Sequence, residues 1–129
     1  MELAQNLAEL QVLTENFIKK STSCFADNEF KVMLMLKIYG ECSPKIVISK
    51  VGILKTNLAL IFKKLMAEDL VEARKNAQDG RGKLYRLTVH GEEMISGILA
   101  DISAKLSGIV TEDLFYAVKI VLSVLNKKI

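Results

Sequence analysis

Apolar residues recur at helical spacing over most of this 129-residue chain, and one central stretch departs from that rhythm. Leu3, Leu7, Leu10, Leu13 and Phe17 follow at steps of four, three, three and four, a stripe that predicts a helix over residues 2 to 20. Glu2, Glu9 and Glu15 fall off the stripe toward its start and Lys19 and Lys20 at its end, the order the helix dipole favours. Residues 21 to 26 are polar and aperiodic, so a connection is expected there. Asp27 or Asn28 can cap a second helix running to about Ile38, with Phe30, Met33, Leu34 and Ile38 on its buried face and Gly40 as its stop.

From residue 43 the punctuation becomes dense. Ser43 is a good N-cap and Pro44 suits the first helical position, where its missing N–H is not needed, so a short helix runs to about Val51 and stops at Gly52. Residues 54 to 69 predict another helix, burying Leu58, Ile61, Phe62 and Leu65 and leaving Lys55, Thr56, Asn57, Leu60, Lys63 and Lys64 on a more polar surface. Two helices joined through one glycine fit a helix-turn-helix. Leu70-Val71-Glu72-Ala73-Arg74 suits a strand, residues 76 to 82 a turn, and residues 83 to 87 the returning strand, which makes a hairpin with a basic, glycine-flanked tip.

Thr88 is placed to cap a long helix with Ile95, Ile98, Leu99, Ile102, Leu106 and Ile109 on one face, which Gly108 bends or ends. Thr111 caps the last helix, with Glu112 and Asp113 in its first turn, Leu114, Val118, Val121 and Leu125 as its stripe, and Lys127 and Lys128 at its end. The fold class expected is mainly α with a small β-hairpin wing (α+β). It is a winged helix-turn-helix over residues 28 to 88, flanked by N- and C-terminal amphipathic helices at residues 2 to 20 and 89 to 127. These flanking helices carry more apolar surface than one small subunit can cover, which predicts a homodimer built on Leu3, Leu7, Leu10, Phe17, Leu114, Val118, Val121 and Leu125.

Composition narrows the function classes. Half the residues are hydrophobic, enough for the core of one domain spanning residues 1 to 129, and no apolar run reaches the length of a membrane span. Two cysteines and one histidine, with no CxxC pair, build neither a zinc site nor a disulfide framework, so no metal or cofactor is expected and a reducing cytoplasm is the default. His90 has no nucleophile or phosphate loop near it in sequence, which argues against an enzyme. Met33, Met35 and Met66 are read as packing residues. The net charge of +3 hides a division: residues 43 to 90 carry ten Lys and Arg against four Asp and Glu, a surplus of six, while the remainder is acidic by three. A basic centre between acidic flanks points to a polyanion on one face.

The segment Asp79-Gly80-Arg81-Gly82-Lys83-Leu84-Tyr85-Arg86-Leu87-Thr88-Val89-His90-Gly91 resembles the wing of the MarR family of bacterial winged-helix transcription regulators: Asp, a basic pair, a short apolar strand, then Leu-Thr-x-x-Gly. Leu65 followed by Asp69-Leu70-Val71-Glu72 is similar to that family's Leu-x-x-x-Gly-Leu-Val-Glu. The resemblance implies a dimeric repressor on pseudo-palindromic double-stranded DNA, with residues 2 to 20 and 89 to 127 intertwined between subunits. It also implies a small-molecule effector in some members and, in others, oxidant sensing through a cysteine near the first helix. Cys24 is the redox candidate here and Cys42 a weaker one; a buried structural role is the favoured reading for Cys24.

For DNA, the start of the second helix of a helix-turn-helix enters the major groove. Asn57 can pair with adenine, Lys55 with guanine, and Ala59, Leu60 or the Thr56 methyl can touch a thymine methyl. Lys63, Lys64 and Lys83 suit phosphates, as does Ser43 at a helix N-terminus. Arg81 suits a narrow minor groove, and the resemblance gives Asp79 the role of holding it. Three departures stand against the family pattern. Leu54 occupies the place of a Ser or Thr at the recognition-helix start, so that Thr56 capping a shorter helix is the alternative. Asp69 replaces a Gly, and Gly80 removes one of two wing basic residues. They keep open a rival reading as a winged-helix adaptor or antirepressor that binds protein rather than specific DNA.

Overall fold

In a computed structural model describing residues 1–78, 80 and 82–128, the elements run α1 (Glu2–Lys19), α2 (Asp27–Tyr39), α3 (Pro44–Val51), α4 (Lys55–Ala67), β1 (Val71–Lys75), β2 (Lys83–Leu87), α5 (Val89–Leu106) and α6 (Glu112–Lys128). β1 and β2 pair antiparallel from Val71↔Leu87 to Lys75↔Lys83. The core gathers Phe30, Met33, Leu36, Val47, Leu58, Phe62, Leu65, Leu70, Ile95 and Ile98. It lies where α2 packs against α3, α4, α5 and β2.

That central position alters the expected face of α2. A helix packed on several sides buries residues beyond one stripe, so Val32 and Leu36 join Phe30 and Met33, Leu34 is only half-buried, and Ile38 is 59% exposed. Neither Asp27 nor Asn28 caps α2. Ala26 is the N-cap without a side-chain bond, and Asp27 instead supplies charge to the first turn. α5 ends at Leu106, so Ile109, expected on its buried face, is exposed.

Local chemistry joins recognition helix, hairpin and α5. α4 closes in a Schellman arrangement: Leu70 N–H donates to Leu65 O at 2.9 Å and Asp69 N–H to Met66 O at 3.1 Å, with Leu65 and Leu70 both buried. Asp69 takes the left-handed conformation (φ 59°) that this closure needs, a conformation Asp tolerates better than most non-glycine residues. The Thr88 hydroxyl donates to Asp69 O at 2.6 Å and accepts from Gly91 N–H at 3.0 Å, fixing the exit of β2 and the start of α5 together. A Cβ at Gly91 would stand 2.1 Å from Leu70 O, so this position admits glycine alone.

α1 and α6 contrast with all of this, since neither buries a residue. Among the described residues no helix is long and apolar enough to cross a membrane.

Candidate nucleic-acid interface

α4 is anchored by Leu58, Phe62 and Leu65, and the rest of its surface presents Lys55, Thr56, Asn57, Ala59, Leu60, Lys63 and Lys64, all exposed. The helix starts at Lys55, so Thr56 sits in its first turn and does not cap a shorter one. Leu54 is the N-cap in extended backbone, 70% exposed, and offers no capping bond. Among the described residues the first-turn N–H groups of α4 have no side-chain partner, at the place where the helix would meet a polyanion. Leu60 is 67% exposed, an apolar group among polar neighbours.

Ser43 caps α3 through its backbone geometry only, and its hydroxyl makes no capping bond. The hairpin is bound to the same body. Cys42 and Tyr85 exchange both backbone hydrogen bonds, at 3.0 and 2.9 Å, and the Tyr85 ring stacks on Phe62 of α4 with centroids 3.8 Å apart and planes within 2°.

The basic residues of the hairpin divide into two sets. Arg74 grips Glu41 through two N–H groups, with Nε to Oε2 at 2.7 Å, and this holds the Glu41 carboxyl below the usual carboxylate range. Arg86 pairs with Glu72 at 2.7 Å. Lys75 and Lys83 sit opposite one another at the far end, exposed and without an ion pair among the described residues. Like charges placed in register repel, which makes this end of the hairpin receptive to an anion. Lys75 was not among the residues singled out from the sequence. Its signal is the hairpin register, since it faces Lys83 across the pair. Asp79 and Arg81 lie outside the described residues.

Lys64 stands apart from Lys63: its ammonium meets Glu29 Oε2 of α2 at 2.8 Å. The hydrogen bond to Glu29, and then its charge, raise the Lys64 pKa above the usual lysine value.

The cysteines fall in different environments. Cys24, favoured as a buried structural residue, is exposed in the connection after α1, where Thr22 and Phe25 turn inward instead. Cys42 is buried, and desolvation pushes its thiol pKa up, which counts against a reactive thiolate. His90 is exposed in the first turn of α5, and the described residues contain no cluster of metal-ligating side chains. Met33 is fully buried as a packing residue, whereas Met66 is 38% exposed.

The residues expected at a subunit contact remain uncovered: Leu3, Leu7, Leu10, Phe17, Leu114, Val118, Val121 and Leu125 are all exposed. Leu10, Phe17, Leu114 and Val118 line an open apolar groove of about 620 Å³ between α1, the end of α5 and α6. A second, more polar cleft of about 230 Å³ between α1 and α2 is lined by Gln11, Glu15, Lys19, Thr22, Asp27 and Lys31 among others.

No protein-family model matches the chain, and no curated protein matches it in sequence. Solved structures do. The apo form of MarR from E. coli aligns with a TM-score of 0.75 at 18% identity, over 97% of each chain. A mutant of that protein complexed with operator DNA aligns with a TM-score of 0.71 at 18% identity, over 97% of this chain and 94% of that one. Bordetella bronchiseptica BpsR, whose DNA binding is described as regulated by 6-hydroxynicotinic acid, aligns with a TM-score of 0.72 at 18% identity, over 98% and 99% of the two chains. The likeness spans α1 and α6 as well as the winged module, so the chain has the MarR-type winged-helix fold from end to end.

Proposed function

We propose that this MarR-type chain is a sequence-specific double-stranded DNA-binding transcription regulator. It acts as a homodimeric repressor in the bacterial cytoplasm, with α4 in the major groove and the hairpin tip in the adjacent minor groove. One observation carries the reading: Lys55, Thr56, Asn57, Ala59, Leu60 and Lys63 are exposed together on a helix whose other side is locked into the core, beside a hairpin ending in Lys75 and Lys83. Asn57 reads adenine, Lys55 reads guanine, and Leu60, Ala59 and the Thr56 methyl meet thymine methyls. Lys63, Lys75, Lys83 and Ser43 hold phosphates and set the register. Arg81, with Asp79 as its support, enters the minor groove.

A second copy covers the groove between α1 and α6, which places two winged modules on successive major grooves of a pseudo-palindrome. The cleft between α1 and α2, lined by both carboxylates and ammonium groups, suits a small polar effector. Selection of duplexes from a randomised pool, followed by fluorescence anisotropy, tests the reading. An enriched site is expected, with affinity falling roughly a thousandfold or more between about 50 and 200 mM salt. Arg81→Ala should bind the enriched site more weakly. Binding indifferent to salt, or a pool that enriches nothing, refutes the assignment.

A further inference from the structure

The ion pair beneath α4 differs from the other pairs of the molecule. The Glu29 side chain is only 9% exposed, its Oε2 accepts from Lys64 Nζ at 2.8 Å, and its Oε1 has no hydrogen-bond partner among the described residues. Glu29 lies in the first turn of α2 and Lys64 in the last turn of α4, so a single contact joins two helices at their ends. Lys63 leaves α4 about 100° further round, is exposed and makes no ion pair among the described residues.

We infer that Lys64 is a positioning residue: the Glu29–Lys64 pair fixes the tilt of α4 on α2, and Lys64 stays on Glu29, rather than moving to a phosphate, when DNA is bound. The inference rests on the DNA-binding reading above. A buried carboxylate that loses its cation is left uncompensated, a cost far above that of an exposed ion pair. Transferring Lys64 to a phosphate exchanges one anion for another at the lysine while stranding Glu29. The tether also acts at a distance. Asn57 stands two turns before Lys64, about 10 Å along the axis, so a change of tilt at the last turn displaces the residues that read bases.

The two roles predict different salt behaviour and opposite signs. Against the duplex enriched by the wild-type chain, Lys64→Met is expected to lower affinity about tenfold with an unchanged slope of log affinity on log salt, because no phosphate contact is lost. Glu29→Gln should also lower it, and Lys64→Arg, which keeps the pair, should stay within about twofold of wild type. If Lys64 holds a phosphate, Lys64→Met reduces the slope by about 0.9 and Glu29→Gln, by freeing the ammonium, leaves affinity unchanged or raises it; either result overturns the inference while leaving DNA binding intact. Unaltered affinity in Lys64→Met overturns it too. Circular dichroism checks each variant for folding. Should Lys64→Met not fold, Glu29→Gln decides between the two signs. A wild-type chain without salt-dependent binding to any duplex is a different failure, that of the DNA assignment itself, and removes the inference with it.

Discussion

The winged module and the two terminal helices are written in the same sequence pattern and end in opposite states. Leu58, Phe62 and Leu65 on α4 recur at helical spacing and are buried; Leu114, Val118, Val121 and Leu125 on α6 recur in the same way and are exposed. Periodicity therefore specifies that a helix has an apolar face, and does not specify whose surface covers it. In the module the cover is local, because short connections fold α2, α3, α4, β2 and α5 onto one another. At the ends the cover is thin: Ile18 of α1 packs against the core, but neither α1 nor α6 buries a residue. Isolated apolar faces of this extent are costly in water, and the contrast is the physical basis of the proposal that a second copy covers the ends.

Glutamate at both Val118 and Leu122, which line the groove, breaks the comparison most severely. Sedimentation or light scattering should find wild type at twice the chain mass and the variant at the chain mass, with DNA affinity reduced about a hundredfold or more as the benefit of two linked modules is lost. A wild-type monomer at micromolar concentration would show that the terminal helices find their cover elsewhere. Within the module, Gly91→Ala should destabilise by about 3 kcal/mol, since its new methyl meets a backbone oxygen that cannot yield. Denaturant unfolding at fixed protein concentration measures this. Thr88→Ala should cost about 1–2 kcal/mol by the same measurement, as both bonds of its hydroxyl go.

Asp69→Gly has the opposite sign. Relief of the left-handed backbone exceeds the added entropy of the unfolded chain, and a gain of roughly half a kcal/mol is expected. The smallest effect belongs to Glu41. Its folded pKa is depressed below 4.5, mainly by the hydrogen bond from Arg74, so its contribution is present above that value and is lost as pH falls through the folded value. The difference in melting temperature between wild type and Glu41→Gln should therefore be seen at neutral pH and close in acid. A difference that widens in acid would contradict the pairing.

The elements that repay local chemistry were legible in the sequence. Thr88 and Gly91 sit three residues apart, as a helix cap requires, and β2 occupies the residues predicted for it. The closure of α4 is less legible, because glycine is the ordinary residue for a left-handed position and here Asp69 takes it. Ile38 and Ile109 mark the limit of periodicity. Ile38 lies on a helix packed from several sides, which leaves no trace in local spacing, whereas Ile109 lies beyond the end of α5, which Gly108 signals although the apolar spacing runs on past it. The long-range partners of the basic residues were not legible. Lys64 meets Glu29 from 35 positions away and Arg74 meets Glu41 from 33 positions away, so a count of exposed charge cannot separate the cations held by the fold from those left for a ligand.

Tyr85 has a bearing on how the molecule can change shape. Its backbone is pinned to Cys42 ahead of α3 and its ring to Phe62 of α4, so α4 and the strands of the hairpin share one joint and keep a fixed opening between them. A signal arriving elsewhere in the chain must break these contacts to move one arm against the other. The calliper formed by helix and hairpin keeps its setting, and what remains free to vary is where the whole instrument is carried.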